Sequence, residues 1–193
     1  MMDTTIELVW ADITNIKVDA IVNTANSSLL GGDGVSGAIF RIGGRDIMED
    51  CIRIKDRQGG CPVGQAVITT GGKLSATYVI HAVGPIWSSN NHDAERQLAN
   101  AYSNSLKVAV ENGVRTIAFP NISTGIYSFP KNRAAEIAIN AVEEFLATDN
   151  QIEKVIFACS DDENYAIYKS VLSWKWFDVS HSFFINRPES NVA

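Results

Sequence analysis

The sequence is short of cysteine, of basic runs and of long apolar stretches, and each shortage removes a class of protein. Its three cysteines, Cys51, Cys61 and Cys159, are an odd number with no CxxC pair. A disulfide scaffold or zinc cluster needs paired or closely spaced cysteines, so neither is expected, and a reducing cytoplasm is. Each cysteine is read as a small apolar filler. Lys and Arg form no run and the net charge is -6, so a long nucleic-acid backbone finds no bulk attraction here. A small anion is not excluded, because backbone N–H groups bind phosphate without cationic side chains. No apolar run is long enough for a bilayer and Met1–Thr5 carries no basic start, so neither a membrane span nor a secretory signal is expected. Repeats, low-complexity segments and linkers are also missing. What remains is an ordinary globular composition whose 193 residues predict one domain, with a core over about 5–172 and an extension over 173–193.

Short apolar runs alternate with amphipathic stretches. Ile6–Trp10, Ala20–Val22, Ala66–Thr69, Tyr78–Ala82, Thr116–Phe119 and Val155–Ala158 read as strands, several of them apolar throughout, as in strands covered on both faces. Arg45–Arg57, Asp93–Glu111, Asn132–Thr148 and Glu163–Leu172 read as helices. Leu98, Tyr102, Leu106 and Ala109 form the buried stripe of the second, with Gly113 placed for a left-handed cap beyond its end. Ala135, Ile139, Val142 and Leu146 do the same in the third. This alternation predicts an α/β fold, a three-layer αβα sandwich around a mixed, largely parallel sheet. Trp174, Trp176, Phe177, Phe183 and Phe184 are too apolar for a free tail, so the extension is expected to pack back, with 187–193 frayed.

In an open α/β sheet, ligands sit beyond the carboxyl ends of the strands. Two loops are expected there, Asn23–Ile39 and Pro120–Pro130. The first contains G-x-G-x-x-G at Gly32, Gly34 and Gly37, but a dinucleotide-binding turn follows its strand at once, and here about ten residues intervene. The position about twenty residues beyond the last glycine falls near Asp56, inside a helical pattern. A nicotinamide-dependent oxidoreductase therefore fits badly. The close backbone approach that Gly31–Gly37 permits remains, as do the free N–H groups of the helix after it. In the second loop, the small residues Ser123, Thr124 and Gly125 can wrap a phosphate with main-chain donors, and Tyr127 and Phe129 can cover a sugar or base face. His81 lies in an apolar strand and reads as a core histidine. His92 and His181 have no evident partner. No Ser-His-Asp order or metal-ligand cluster is present, and Ser123 as a nucleophile lacks a recognisable base.

Asp12-Ile13-Thr14, Val18–Asn23, Asn26–Leu29, Gly31–Ile39, Val79–Pro85 and Ser123–Tyr127 together resemble the macrodomain family, in order and spacing, over about residues 5–172. The likeness is strongest to bacterial enzymes that remove ADP-ribose from proteins or deacetylate O-acetyl-ADP-ribose. It implies that Asp12 accepts a hydrogen bond from the adenine amino group beside the Ile13 backbone. It implies that Asn26 holds the distal ribose hydroxyls, that Gly34, Val35, Ser123, Thr124, Gly125 and Ile126 surround the diphosphate, and that Tyr127 packs on the distal ribose. The Cys159–Asp161 strand end lines the adenine mouth in this reading. No metal or cofactor is implied.

The chain departs from its hydrolytic relatives at one sensitive place. Their first loop usually reads G-G-G-G-V-D-G-A-I-H, whereas this chain has Gly31-Gly32-Asp33-Gly34-Val35-Ser36-Gly37-Ala38-Ile39-Phe40. Ser36 stands where the water-activating aspartate is expected, and Phe40 replaces the histidine. A neutral serine is no carboxylate base, and a lost base lowers rate by about 10²–10⁴. Asp33 is a substitute carboxylate, and the ligand phosphate with the loop backbone is another way to position water. Alphavirus macrodomains carry a similar G-D-G-V stretch, and that group includes ADP-ribosyl hydrolases. The expected function is therefore a cytoplasmic ADP-ribose-binding hydrolase, with Asn26, Ser36 and Asp33 as candidate catalytic groups. Its ligand is ADP-ribose, O-acetyl-ADP-ribose or a mono-ADP-ribosylated protein. The rival is a non-catalytic reader using the same pocket.

Overall fold

The computed structural model describes residues 4–175 and 183–186. In chain order the elements are β1 (Thr5–Trp10), a 3-10 turn (Ile13–Asn15), β2 (Ala20–Ala25), α1 (Gly34–Gly43), α2 (Arg45–Gln58), β3 (Ala66–Thr70), β4 (Tyr78–Val83), α3 (Ala94–Glu111), β5 (Thr116–Phe119), α4 (Lys131–Leu146), β6 (Lys154–Cys159), α5 (Asp162–Lys175) and β7 (Phe183–Asn186). They build one sheet in the order β3-β4-β2-β5-β6-β1-β7. Every neighbouring pair is parallel except β3 with β4.

Period-two alternation sorts the strand residues between the sheet's two faces. Ala20 and Val22 of β2, with Ile80 and Ala82 of β4, join the core beneath α3, α4 and α5, around Leu98, Tyr102, Ala138 and Tyr168. Ile21 and Ala25, with Val79 and Val83, join the second core beneath α1 and α2, around Ile39, Ile47 and Cys51. Asn23 and His81 fall by the same alternation on the α1 face, and they are direct cross-strand partners. The expected three-layer sandwich is present.

Beyond shifts of a few residues at element ends, three features differ from the sequence reading. β2 continues through the polar Asn23 and Thr24 to Ala25, because pairing with His81 and Ala82 gives these residues a place in the sheet. The first loop ends early: α1 starts at Gly34, so Gly34, Val35 and Ser36 form a helical first turn rather than loop. Phe183–Asn186 add a parallel strand along β1. Trp174, in the last turn of α5, is well exposed. Trp176, Phe177 and residues 187–193 lie outside the described residues.

Candidate functional site

Four strands, β1, β2, β5 and β6, run parallel and end at the same edge of the sheet. The segments that leave them wall a cavity of about 740 Å³. Ala11–Thr14 come from β1, Thr24–Asn26 and Gly31–Ser36 from β2, Pro120–Tyr127 from β5, and Ser160 and Asp161 from β6. Asp12, Ile13, Asn26, Asp33, Gly34, Val35, Ser36 and Ser123–Tyr127, singled out as binding or catalytic, are in this wall, whereas Phe129 and Cys159 are not.

The segment after β2 is braced from within. The Asn26 Oδ1 accepts from the Ser28 N–H at 3.1 Å and the Ser28 hydroxyl at 2.6 Å, and its Nδ2 donates to the Gly31 carbonyl at 3.0 Å. Asn26 therefore closes an Asx turn, and it keeps one further N–H for a ligand. α1 then begins without a side-chain cap: Asp33 stands at the cap position, extended and exposed, its carboxylate bonded to none of the helix donors. Gly37 is a glycine for a physical reason, since a Cβ there would lie 2.8 Å from the Gly32 carbonyl oxygen. Among the described residues no acceptor takes the N–H groups of Gly34, Val35 or Ser36.

The segment after β5 turns sharply. Ser123 has φ +67°, a left-handed backbone unusual for serine, and Phe129 N–H closes the loop onto the Ser123 carbonyl at 2.9 Å. Trp87 N–H ties Tyr127 to the segment after β4. Gly84 packs so tightly that a Cβ would sit 2.2 Å from the Ser123 Oγ. The N–H groups of Thr124, Gly125 and Ile126 have no acceptor among the described residues. Ile126 is 86% exposed on the rim. Phe129 is not a cover for a ligand: it is buried and packs under Trp87, ring centroids 4.6 Å apart. The Ser123 Oγ has no hydrogen-bond partner, so nothing in the described structure activates it as a nucleophile.

The charged groups in the wall are Asp12, Asp33, Asp161 and Lys131. Three carboxylates to one cation leave the backbone donors of α1 and the second loop as the anion-binding groups. Asp12 caps the 3-10 turn, its Oδ1 accepting from the Thr14 N–H at 2.9 Å and hydroxyl at 2.7 Å. Its Oδ2 remains for a donor such as an exocyclic amine. Asp161 caps α5, taking the Asn164 N–H and side-chain amide at 2.8 Å each. Burial pushes its pKa up, but the Asn164 bonds and the nearby Lys131 outweigh that and hold it below the usual carboxylate range. Lys131 pairs with Glu163 and lies 3.9 Å from Asp161.

Ser36 is 3% exposed, facing the sheet. The Asn23 Nδ2 donates to its Oγ at 3.4 Å and to His81 Nδ1 at 3.0 Å. His81 Nε2 is then the protonated nitrogen, 2.9 Å from the Thr69 hydroxyl, which donates on to the Thr70 carbonyl at 3.0 Å. Complete burial pulls the His81 pKa down to about 4, against a raising effect of Asp50, so the ring is neutral at pH 7. His81 is the core histidine the sequence suggested. Burial likewise pushes the Cys51 and Cys159 thiols up to about 12 and Cys61 to about 11, and all three are free. Among the described residues no group of His, Cys, Asp and Glu is placed to hold a metal ion, and no helix is long and apolar enough to cross a membrane.

The sequence reading missed Gly84, Asn121, Lys131 and Asn164 in the cavity wall. Lys131 and Asn164 open helices that follow β5 and β6, so the rule that first turns at this sheet edge face the ligand would have found them.

The family described as Macro domain matches residues 22–138. A macro domain-containing protein of Cupriavidus necator is 58% identical over 168 residues, covering 87% of this chain and 97% of that protein. An O-acetyl-ADP-ribose deacetylase of Pantoea vagans is 52% identical, covering 87% and 98%. Among solved structures, a mutant Oceanobacillus iheyensis macrodomain with ADPR superposes with a TM-score of 0.84 at 36% identity, covering 89% of this chain and 93% of that one. A Trypanosoma brucei macrodomain in complex with ADP-ribose superposes with a TM-score of 0.79 at 34% identity, covering 86% and 68%.

Proposed function

The chain belongs to the macrodomain family, and from that premise we propose that it binds ADP-ribose across the 740 Å³ cavity and hydrolyses O-acetyl-ADP-ribose. The observation that carries this is the pairing of two sets of unbonded backbone N–H groups, at Gly34–Ser36 and Thr124–Ile126, in the wall of one cavity. Relatives named O-acetyl-ADP-ribose deacetylase, at about half identity and nearly full length, support the choice of substrate.

In this reading the diphosphate lies between the two loops, neutralised by main-chain dipoles rather than by side-chain cations. Asp12 keeps one oxygen on Thr14 and gives the other to the adenine amino group. Asn26 offers its remaining N–H to the distal ribose, and Tyr127 packs on that sugar. Rate then comes chiefly from position: a water held by the loops beside the scissile bond, with up to roughly 7–11 kcal/mol available from orientation alone. Asp33 and Ser36 are the candidates for assisting that water. The reaction is hydrolytic and needs no cofactor. A mono-ADP-ribosylated protein is a second substrate, the water then attacking the anomeric carbon of the distal ribose instead of the acetyl carbonyl. We place the protein in the cytoplasm, where its three free thiols persist, and read it as one domain with 173–193 as an extension.

One observation favours a reader instead of an enzyme. The position of the expected base is the buried Ser36 hydroxyl, bonded to Asn23. The deciding experiment incubates the protein with O-acetyl-ADP-ribose and, separately, with a mono-ADP-ribosylated protein, and measures acetate and free ADP-ribose. Tight binding of ADP-ribose without either product establishes the reader.

A further inference from the structure

Two tyrosines outside the cavity wall hold its second loop. Tyr102 in α3 and Tyr168 in α5 are fully buried, packed against Phe119 and Phe157 with ring centroids 5.1 Å apart in each case. Their rings belong to the core, and a phenylalanine would fill the same space. Their hydroxyls do something a phenylalanine cannot. Tyr102 donates to the Pro120 carbonyl and accepts from the Ile122 N–H, each at 3.3 Å. The Tyr168 hydroxyl lies 3.5 Å from that of Tyr102. The Asn121 amide donates to Cys159 Sγ at 3.4 Å.

The hydrogens in this group have a consistent direction. Tyr102 donates to Pro120, so Tyr168 donates to Tyr102, while the Ile122 N–H takes the second lone pair of Tyr102. Bonds in such a chain reinforce one another in a low-dielectric interior. Pro120 and Ile122 are thereby fastened to α3 and Asn121 to β6, with α5 backing the α3 contact through Tyr168. The next residue is Ser123, whose left-handed backbone (φ +67°) begins the turn bearing the free N–H groups of Thr124–Ile126. Such a conformation persists in a non-glycine residue only where its surroundings over-determine it.

We propose that Tyr102, supported by Tyr168, is a positioning residue that fixes the Pro120–Ile122 entry and so presents the Ser123–Ile126 backbone to a diphosphate. This rests on the ADP-ribose reading for the identity of the ligand. The brace itself does not. Loss of the Tyr102 hydroxyl leaves one carbonyl and one N–H buried without partners at the loop entry, and the loop then samples shapes in which its donors diverge.

The test compares Tyr102→Phe, Tyr168→Phe and the wild type by calorimetric titration with ADP-ribose and by amide hydrogen exchange resolved to peptides. Ser105→Ala is the control, a buried hydroxyl on the same helix that bonds only to the Ala101 carbonyl. Tyr102→Phe is expected to weaken ADP-ribose binding by about fivefold to tenfold. It should speed exchange over Ile122–Ser128 while β4 and β6 stay as protected as in the wild type. Tyr168→Phe should show a smaller change of the same kind, and Ser105→Ala none. Wild-type affinity and loop exchange in Tyr102→Phe overturn the proposal. So does weaker binding accompanied by faster exchange throughout the chain, since the hydroxyl is then merely structural. If Tyr102→Phe does not fold, Tyr168→Phe decides alone, and unchanged loop exchange there overturns the proposal. If the wild type itself fails to bind ADP-ribose, the functional reading falls, and the exchange comparison still decides the brace.

Discussion

His81 Nδ1 lies 3.0 Å from the amide nitrogen of Asn23, its cross-strand partner on the α1 face of the sheet. The bond requires an unprotonated Nδ1, and burial enforces the same state by lowering the pKa from 6.5 to about 4. The linkage sign follows from the neutral form being favoured in the fold. Above pH 6.5 folded and unfolded chains are both neutral here and nothing is lost. As pH falls below 6.5 the unfolded chain takes a proton that the native ring refuses, so stability declines until about pH 4. The full loss is about 3 kcal/mol. Urea unfolding between pH 7 and 4.5 should show this slope, and the His81 ring resonances should stay fixed from pH 8 to 5. A ring titrating near 6.5 would mean that Asn23 and His81 are not a closed neutral pair.

Asp12 has two tasks at once, and a mutation separates them. Asp12→Ala removes the cap of the 3-10 turn, at a cost of about 1 kcal/mol in stability. It also removes the carboxylate proposed for the adenine amino group, which should weaken ADP-ribose binding by about 1.5–3 kcal/mol. Calorimetry on the folded variant measures the second effect and thermal unfolding the first. Lower stability with unchanged affinity would leave Asp12 as a cap and nothing more.

Gly125 is exposed, and a Cβ built on it meets nothing within 4 Å. A side chain there is free of steric penalty in the empty protein, so Gly125→Glu should fold with a melting temperature close to wild type. It should nonetheless abolish ADP-ribose binding, because the new carboxylate points a charge at the donors meant for phosphate. A variant that still binds tightly would show that Ser123–Tyr127 is a turn rather than a phosphate site.

The strands and helices were legible because apolar periodicity reports burial directly. Leu98, Tyr102, Leu106 and Ala109 are a helical stripe in the sequence and a fully buried stripe in the fold. The start of α1 was hidden by its own composition, since Gly34, Val35, Ser36 and Gly37 look like loop until the sheet edge they sit on is known. Asn23 and His81 were unreadable as a pair for a different reason. Their contact depends on the register of β2 against β4, which pairs residues 58 positions apart. Phe129 shows the converse: an aromatic residue beside a ligand loop looks like a cover in the sequence, and its burial under Trp87 makes it part of the core.

Ser36 decides between enzyme and reader. Its Oγ lies against Asn23 in the first turn of α1, in the wall of the cavity. A carboxylate built in its place keeps a donor in Asn23 and gains a favourable position near the helix N-terminus. Space is tight, because Ser36 is buried and the larger side chain must fit where only a hydroxyl sits now. We predict slow hydrolysis by the wild type and at least about tenfold faster turnover by Ser36→Asp, a conservative share of what a positioned base supplies. Affinity for ADP-ribose should change little, since a base acts in the transition state and adds little to ground-state binding. Single-turnover release of acetate from O-acetyl-ADP-ribose measures the first effect and calorimetry the second. Asp33→Ala belongs in the same experiment. The exposed Asp33 carboxylate bonds to no donor of α1, so its loss should leave the fold intact. Wild-type turnover that stops in Asp33→Ala would move the base three residues upstream and end the case for Ser36. Absence of product from both the wild type and Ser36→Asp, with binding intact, would make this protein a reader of ADP-ribose.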